Sequence, residues 1–336
     1  MSNIRQSVGI DIAKDSFVAS FATLKEGQFV EFKATKKFDN NVKGFKELFS
    51  WSKKYEDKTT EIAFTMEATG VYYENLAFFL FEKKQKTHVL LPNKVKKFGE
   101  SLDLKSKTDK IDSKIIAQMG VERRLRVWKL CSLRLRVIRT LTRERQQLVK
   151  ERSIIKNQIH AENHKAEPLI TTLLRMSNRL NFISSQVKNI EDELKEEVNQ
   201  DDNLKMKLEK IMTIPGLSFI SIITVIAETK GFVDITSIKQ LSSYAGYDVS
   251  IRESGKWKGR SRISKKGNSN IRAILYMPTI CTLTYNSINK KFYERVTKNK
   301  VNGLIAITAL QRKNLGLIYT LWKNNSGYIE NYEALR

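Results

Sequence analysis

Ser7-Val8-Gly9-Ile10-Asp11-Ile12 alternates apolar and polar positions like a short strand and sets a carboxylate, Asp11, between two isoleucines. An ionised acid in an apolar segment is costly to desolvate unless a cation neutralises it, and a hard divalent ion held by oxygen ligands does so. Working outward, Phe17 to Thr23 and Gln28 to Ala34 alternate in the same way, and Lys14-Asp15-Ser16 supplies a turn between the first two runs, so a three-stranded meander is expected. Phe45, Leu48, Phe49 and Trp51 then fall at helical spacing after Asn40-Asn41. A strand from Glu61 to Met66 is closed by Glu67, and a helix from about Tyr72 to Phe81 leads to a strand from Thr87 to Leu91.

Thr108 is an N-cap candidate for a further helix carrying Ile111, Ile115, Ile116 and Met119. The expected order of three strands, helix, strand, helix, strand, helix matches the α/β ribonuclease-H-like (RuvC-like) fold. In that fold the metal carboxylates lie on the first strand, at the end of the fourth and on the last helix. Asp109 and Asp112, three residues apart on one helix face, would then converge with Asp11 and Glu67 on one ion. Acids in a first helical turn also suit the positive end of the helix dipole, so solvated helix-start charges are an equal reading of Asp109 and Asp112. Glu74 rivals Glu67, although it falls on the exposed face of the next helix.

The 336 residues are enough for two or three domains, and 41% hydrophobic content is enough for real cores. Lys and Arg total 60 against 36 Asp and Glu, a formal charge of +24, which points to a polyanionic partner, nucleic acid first. No apolar run approaches the roughly 18 residues of a membrane helix, and no leader pattern is present, so a cytoplasmic, nucleoid-associated protein with no membrane partner is expected. Cys131 and Cys281 lie far apart with no ligand-like spacing, so neither a disulfide framework nor a zinc site is suggested and both are expected to be buried, reduced packing residues.

Leu141, Leu148, Ile155, Leu169, Met176, Ile183, Ile190 and Leu204 keep one heptad phase, and Ile159, Ala166, Leu173, Leu180, Val187, Leu194 and Leu208 keep another four residues later. This is a coiled-coil seam, interrupted by Arg145, Arg152, Glu162, Glu197 and Asp201. Pro168 requires two helices broken near Glu162 to Glu167. A seam left exposed predicts a homodimer, with dimers able to pair into tetramers. The domain boundaries expected are 1–130, 131–204 for the coiled coil and 205–336 for a mainly α-helical third domain.

That domain opens at Ile214-Pro215-Gly216-Leu217-Ser218, which is like the hairpin of helix-hairpin-helix modules that offer backbone N–H groups to a phosphate; it is equally an ordinary turn between helices. From Ser250 onward Arg252, Lys256, Lys258, Arg260, Arg262, Lys265, Lys266 and Arg272 are interleaved with glycines and Trp257. A mobile basic segment of this kind suits a nucleic-acid backbone, and Lys105, Lys107 and Lys110 add cations beside the acidic helix start.

Gly9-Ile10-Asp11, Met66-Glu67-Ala68-Thr69-Gly70, Lys107-Thr108-Asp109-Lys110-Ile111-Asp112, Ile214-Pro215-Gly216, Tyr244-Ala245-Gly246, Glu253-Ser254-Gly255-Lys256 and Ile263-Ser264-Lys265-Lys266-Gly267-Asn268 occur in that order over nearly the whole chain. Together they resemble the DEDD-type insertion-sequence transposases, related to the Piv-type DNA invertases. The resemblance implies a RuvC-like DEDD metal-binding domain at the amino end and a transposase domain supplying a nucleophilic serine at the other.

It further implies that Asp11, Glu67, Asp109 and Asp112 bind Mg²⁺ or Mn²⁺, and that Ser254 forms a phosphoserine link to DNA. The recombinase would be guided by a bridge RNA encoded with the element. Ser250, Ser261, Ser264 and Ser269 lie in the same segment, and the Ser-Gly-Lys context selects Ser254. Metal and nucleophile in segments separated by a coiled coil are consistent with a site shared between protomers. The alternative is a RuvC-like nuclease that hydrolyses branched DNA with the four acids alone, and a non-catalytic nucleic-acid scaffold stands behind it.

Overall fold

The computed structural model describes residues 3–103, 106, 108–259, 261–298 and 302–330. The chain divides into two compact units, Met1–Leu130 and Cys131–Arg336.

The first unit is built on a five-stranded sheet: β1 (Asn3–Ile12), β2 (Ser16–Lys25), β3 (Val30–Asp39), β4 (Ile62–Glu67) and β5 (Lys86–Leu90), in the order β3-β2-β1-β4-β5. The meander pairs antiparallel and β1, β4 and β5 run parallel. This mixed sheet is compatible with a ribonuclease-H-like fold. Side chains alternate between the two sheet faces. Val8, Ile10 and Ile12 with Ile62, Phe64 and Met66 fill one face together with Phe45, Leu48 and Trp51 of α1 (Val42–Lys53) and Leu76, Ala77 and Leu80 of α2 (Glu74–Glu82). Asn41 caps α1, its side chain accepting from Gly44 N at 3.0 Å.

The other face carries the opposite parity, small residues that let a helix approach. It is covered by α4 (Asp109–Glu122), while α3 (Pro92–Glu100), a helix that apolar periodicity did not reveal, precedes it and packs Val95 and Phe98 on Ile115 and Ile116. A Cβ on Gly9 would lie 2.0 Å from Ala117 N, and one on Gly120 would lie 2.2 Å from Ser7 Oγ. Helix and sheet are in contact at distances that only glycine allows. The third strand also lies further along than expected: Gly27 and Gln28 take positive φ in the turn, so the strand begins at Val30 and runs to Asp39.

In the second unit α5 (Leu133–Asn163) and α6 (Ile170–Asn199) form a helical hairpin broken where Pro168 requires it. Polar residues that interrupt the heptads pair across it: Arg145 Nη2 lies 2.6 Å from Glu191, and Arg134 lies 3.2 Å from Glu197. Ile138, Leu141, Val187, Ile190, Leu194 and Val198 are buried between these helices and the rest of the unit. The dimer expected from an exposed seam loses that argument where the seam closes within one chain, although Leu174 and Phe182 remain exposed.

Next come α7 (Asp202–Met212), α8 (Phe219–Glu228), α9 (Ile238–Ala245), α10 (Ser269–Tyr285), α11 (Ser287–Thr297) and α12 (Gly303–Asn324); all but α11 share one core with the hairpin, and α11 packs on α10 and α12. Gly216, at φ 85°, has no room for a side chain, since a Cβ would lie 2.9 Å from the Thr282 backbone of α10, so close packing against that helix accounts for the glycine of the Pro-Gly turn. Cys281 is exposed on α10 and Cys131 half-buried, not the two buried packing residues expected. No helix among the described residues is long and apolar enough to cross a membrane.

Candidate active site

Ile10 pairs with Met66 across β1 and β4, so the next residues along, Asp11 and Glu67, lie at the carboxyl ends of adjacent parallel strands. Both have the parity of Gly9 and Thr65, whose face is the one α4 covers. Gly120 of α4 sits over Ser7 and Thr65, whose hydroxyls bond at 3.0 Å, and Ser113 and Ala117 sit over Gly9. The helix therefore runs back along β1 toward its carboxyl end. From Ser113 to Asp109 the axis advances about 6 Å, and from Gly9 to Asp11 the strand advances about 6.6 Å. The acidic first turn of α4 is thus carried to the sheet edge that bears Asp11 and Glu67. Ser20 Oγ locks the register, 2.8 Å from Ser113 Oγ.

Thr108 caps the helix by accepting from Ile111 N at 3.3 Å, as its position predicts. Asp11, Glu67 and Asp112 are half-buried and Asp109 is exposed. Thr69 Oγ1 donates to Glu67 Oε1 at 3.3 Å, and Gly70 takes φ 56° in the turn that follows. Glu74 opens α2 and so belongs to the helix on the opposite face.

The four carboxylates offer only hard oxygen donors, which in chemistry and in order along the edge fit Mg²⁺ or Mn²⁺. Their oxygens do not form a closed set: among the described residues no three acid, histidine or cysteine side chains lie close enough together to hold a metal ion. Like-charged carboxylates close up only around a cation or a shared proton.

Within the second unit, the basic segment expected to be a loop forms a β-hairpin arm among its described residues. Its base is β6 (Val249–Ser250) paired with β9 (Arg262–Ile263), and its tip is β7 (Glu253–Ser254) paired with β8 (Trp257–Lys258). Ser254 is exposed opposite Trp257, and the two-residue turn Gly255-Lys256 between them uses φ 56° at Gly255. Arg252, Lys256, Lys258, Arg262, Lys265 and Lys266 are exposed on the arm or its base, as is Lys110 on α4.

Arg272 differs from expectation. Its guanidinium donates to Ala245 O at 2.6 Å and Asn268 O at 3.3 Å, which makes it a fastener of the arm's base and not a free phosphate contact. Ser264 is likewise engaged, accepting from Lys266 N at 3.3 Å. Lys105, Lys107 and Arg260 lie outside the described residues.

Two features of the arm's base were not read from the sequence. Gly246 and Gly267 touch backbone to backbone, a Cβ on Gly267 falling 2.5 Å from Gly246 N. Beneath them, Glu228 at the end of α8 is buried with its side chain 1% exposed. It accepts from Arg143 of α5 at 2.7 and 2.9 Å, from Asn268 at 2.6 Å and from Asn270 at 2.9 Å. Burial alone would raise its pKa, but these bonds more than offset that and hold it below the usual carboxylate value. A lone Glu closing an apolar helix at Ile226-Ala227-Glu228 was the available signal.

Comparison with known proteins matches residues 8–162 to a DEDD-type transposase profile and residues 208–294 to the transposase IS116/IS110/IS902 family. The chain is 27% identical to the pilin gene-inverting protein of Moraxella lacunata and 26% identical to that of Moraxella bovis, in each case over 95% of this chain and 96% of the relative. It is 23% identical to the transposase for insertion sequence element IS1111A of Coxiella burnetii, over 72% of each.

Proposed function

The chain belongs to the DEDD-type transposases of the IS116/IS110/IS902 family and is an enzyme that cuts and rejoins DNA; from that premise we propose that it recombines DNA through a phosphoserine intermediate at Ser254, assisted by a divalent ion held on the DEDD edge. The observation that supports this reading most is the register that brings Asp11, Glu67 and the first turn of α4 to one end of the sheet.

Asp11, Glu67, Asp109 and Asp112 would hold Mg²⁺ or Mn²⁺. A bound ion of this kind supplies Lewis-acid polarisation of a phosphodiester. The chain's own residues carry the covalent step. Ser254 Oγ attacks phosphorus, an Oγ–P bond forms as a P–O bond to the DNA breaks, the seryl proton is lost, and the departing oxygen takes up a proton. The diester count is unchanged, so a strand hydroxyl reverses the step and rejoins DNA without an external energy source. Gly255, with no side chain, lets the phosphate backbone approach Ser254 closely. The exposed cations of the arm neutralise and orient the strand. Selection of the site by a bridge RNA follows from the family resemblance and belongs to the same proposal.

Incubation with element ends, guide RNA and Mg²⁺, resolved on a denaturing gel, tests the reading. The native chain is expected to give a protein–DNA adduct, and Ser254→Ala to give neither adduct nor cut strand. Asp11→Ala is expected to lower cleavage on the order of a thousandfold while binding persists. Metal-dependent cutting that survives Ser254→Ala would establish hydrolysis by the carboxylates alone and overturn the serine assignment.

A further inference from the structure

The second unit contains an open cleft of about 2920 Å³ bounded by the base of the arm, α9, α11 and α12. Small-molecule sites measure about 300–1,000 Å³, so this volume suits a segment of polymer. Arg262, Lys265, Lys291, Arg295, Arg312 and Lys313 line it, and no Asp or Glu is among the described residues that do. All six are exposed. Arg295 and Lys313 lie 5.3 and 5.1 Å from the centre of the Phe292 ring, and Arg312 Nε donates to Ser242 Oγ at 3.2 Å, so three of the cations are held in place by the cleft itself.

Apolar side chains share the cleft walls with the cations: Ile288, Leu304, Ile305 and Leu317 belong to the lining, and Leu304 and Ile305 are 55% and 50% exposed. A duplex turns its phosphates outward and hides its base faces, so it would meet the cations and leave these walls wet. A strand with unstacked bases matches both, bases against the walls and phosphates at the rim. Wall polar groups are mostly satisfied internally: Asn286 donates to Tyr328 Oη at 3.0 Å, Asn289 to Asn314 at 3.1 Å, Thr308 to Leu304 O at 2.8 Å and Thr320 to Gly316 O at 2.9 Å. Ser261, Asn324 and Ser326 line the cleft as well, so the choice of DNA over RNA rests on the chain's acting on DNA.

One wall group departs from this pattern. Tyr247 is 2% exposed, and its Oη has no hydrogen-bond partner among the described residues. A buried hydroxyl left unpaired is unfavourable, and such a group needs an explanation. Burial pushes its pKa up, so it stays a neutral donor that a phosphate or base oxygen would satisfy.

We infer that this cleft binds an unpaired DNA strand, bases inward, at a site separate from Ser254. The inference rests on the chain's acting on DNA and not on the serine or metal assignments.

Fluorescence anisotropy of the full chain carrying Ser254→Ala, so that strands stay uncut, tests it with labelled oligothymidine, the matching thymidine–adenosine duplex and oligouridine. Replacing Arg295 and Lys313 together by Ser is expected to weaken oligothymidine binding at least about tenfold and duplex binding less than about twofold. Tyr247→Phe removes the unpaired hydroxyl. It is expected to raise the thermal midpoint of the free protein and yet weaken oligothymidine binding about threefold to tenfold. Equal losses on single strand and duplex, unchanged oligothymidine binding by Tyr247→Phe, or tighter binding of oligouridine than of oligothymidine would each overturn the inference. Because no outcome depends on cleavage, failure here and failure of the phosphoserine reading are separately visible.

Discussion

The acidic sheet edge and the basic hairpin arm position chemistry in opposite ways. At the edge every candidate side chain is placed by backbone packed without slack, since Gly9 and Gly120 admit α4 to distances no other residue allows. At the arm the candidate nucleophile stands on two-residue ladders in solvent, and only the base is clamped, by Gly246 against Gly267 and by the Glu228 network. The proposed sharing of one ion by carboxylates from separate elements would demand a rigid frame. A nucleophile that must meet a long flexible polymer is better carried on a slender arm whose tip contacts little else. Disturbance near the edge should therefore spread, and disturbance at the arm's tip should stay local.

Gly9→Ala gives the largest expected effect. Its Cβ would press on the Ala117 backbone, which cannot swing aside as a side chain would, and a loss of about 3 kcal/mol or more is expected, on the order of 10 °C in the thermal midpoint. A midpoint within a degree or two of the native chain would show that α4 can lift away and that the edge is not rigid.

Glu228→Gln comes next. The variant keeps an acceptor but loses the charge facing Arg143, half of whose side chain is exposed, so about 2 kcal/mol is expected by denaturant titration. The sign of its pH dependence follows from the depressed pKa. The contribution is fully present above the usual value of 4.5 and is lost as pH falls through the lower folded value, so the native chain should lose stability in that acid window more steeply than the variant. Identical acid slopes would remove the clamp from the base of the arm.

Gly255→Ala should have the smallest effect. Nothing lies within 4 Å of the added Cβ, and the strained φ of 56° alone costs about 1 kcal/mol. Destabilisation equal to that of Gly9→Ala would break the contrast between the two regions.

Local signals made much of the first unit legible. Alternation marked β1 and β2, Asn41 and Thr108 marked helix starts, and Pro168 marked the break in the long hairpin, because each acts over a few neighbouring residues. The shifted β3 and the unread α3 show the limit: an edge strand whose outward residues include Lys33, Lys36 and Lys37 has a weak pattern, and nine residues with only Val95 and Phe98 buried leave little period to detect. Cys281 shows another, since residue type alone does not say which side of α10 faces solvent.

The five strands of the first sheet with the helices between them, the excess of positive charge and the motifs around Asp11, Glu67, Asp109, Asp112 and Ser254 were legible in the sequence alone. Those properties depend on composition and on short-range spacing. Tertiary structure decided that Asp11 and Glu67 share a face with the first turn of α4, that Arg272 fastens the arm instead of facing solvent, that Arg143 meets Glu228 across 85 residues, and that Tyr247 lines a cationic cleft with its hydroxyl unpaired among the described residues. Each of these turns on which distant segments pack together and how closely, and side-chain parity becomes a place in space only after a sheet register and a helix direction have been fixed by that packing.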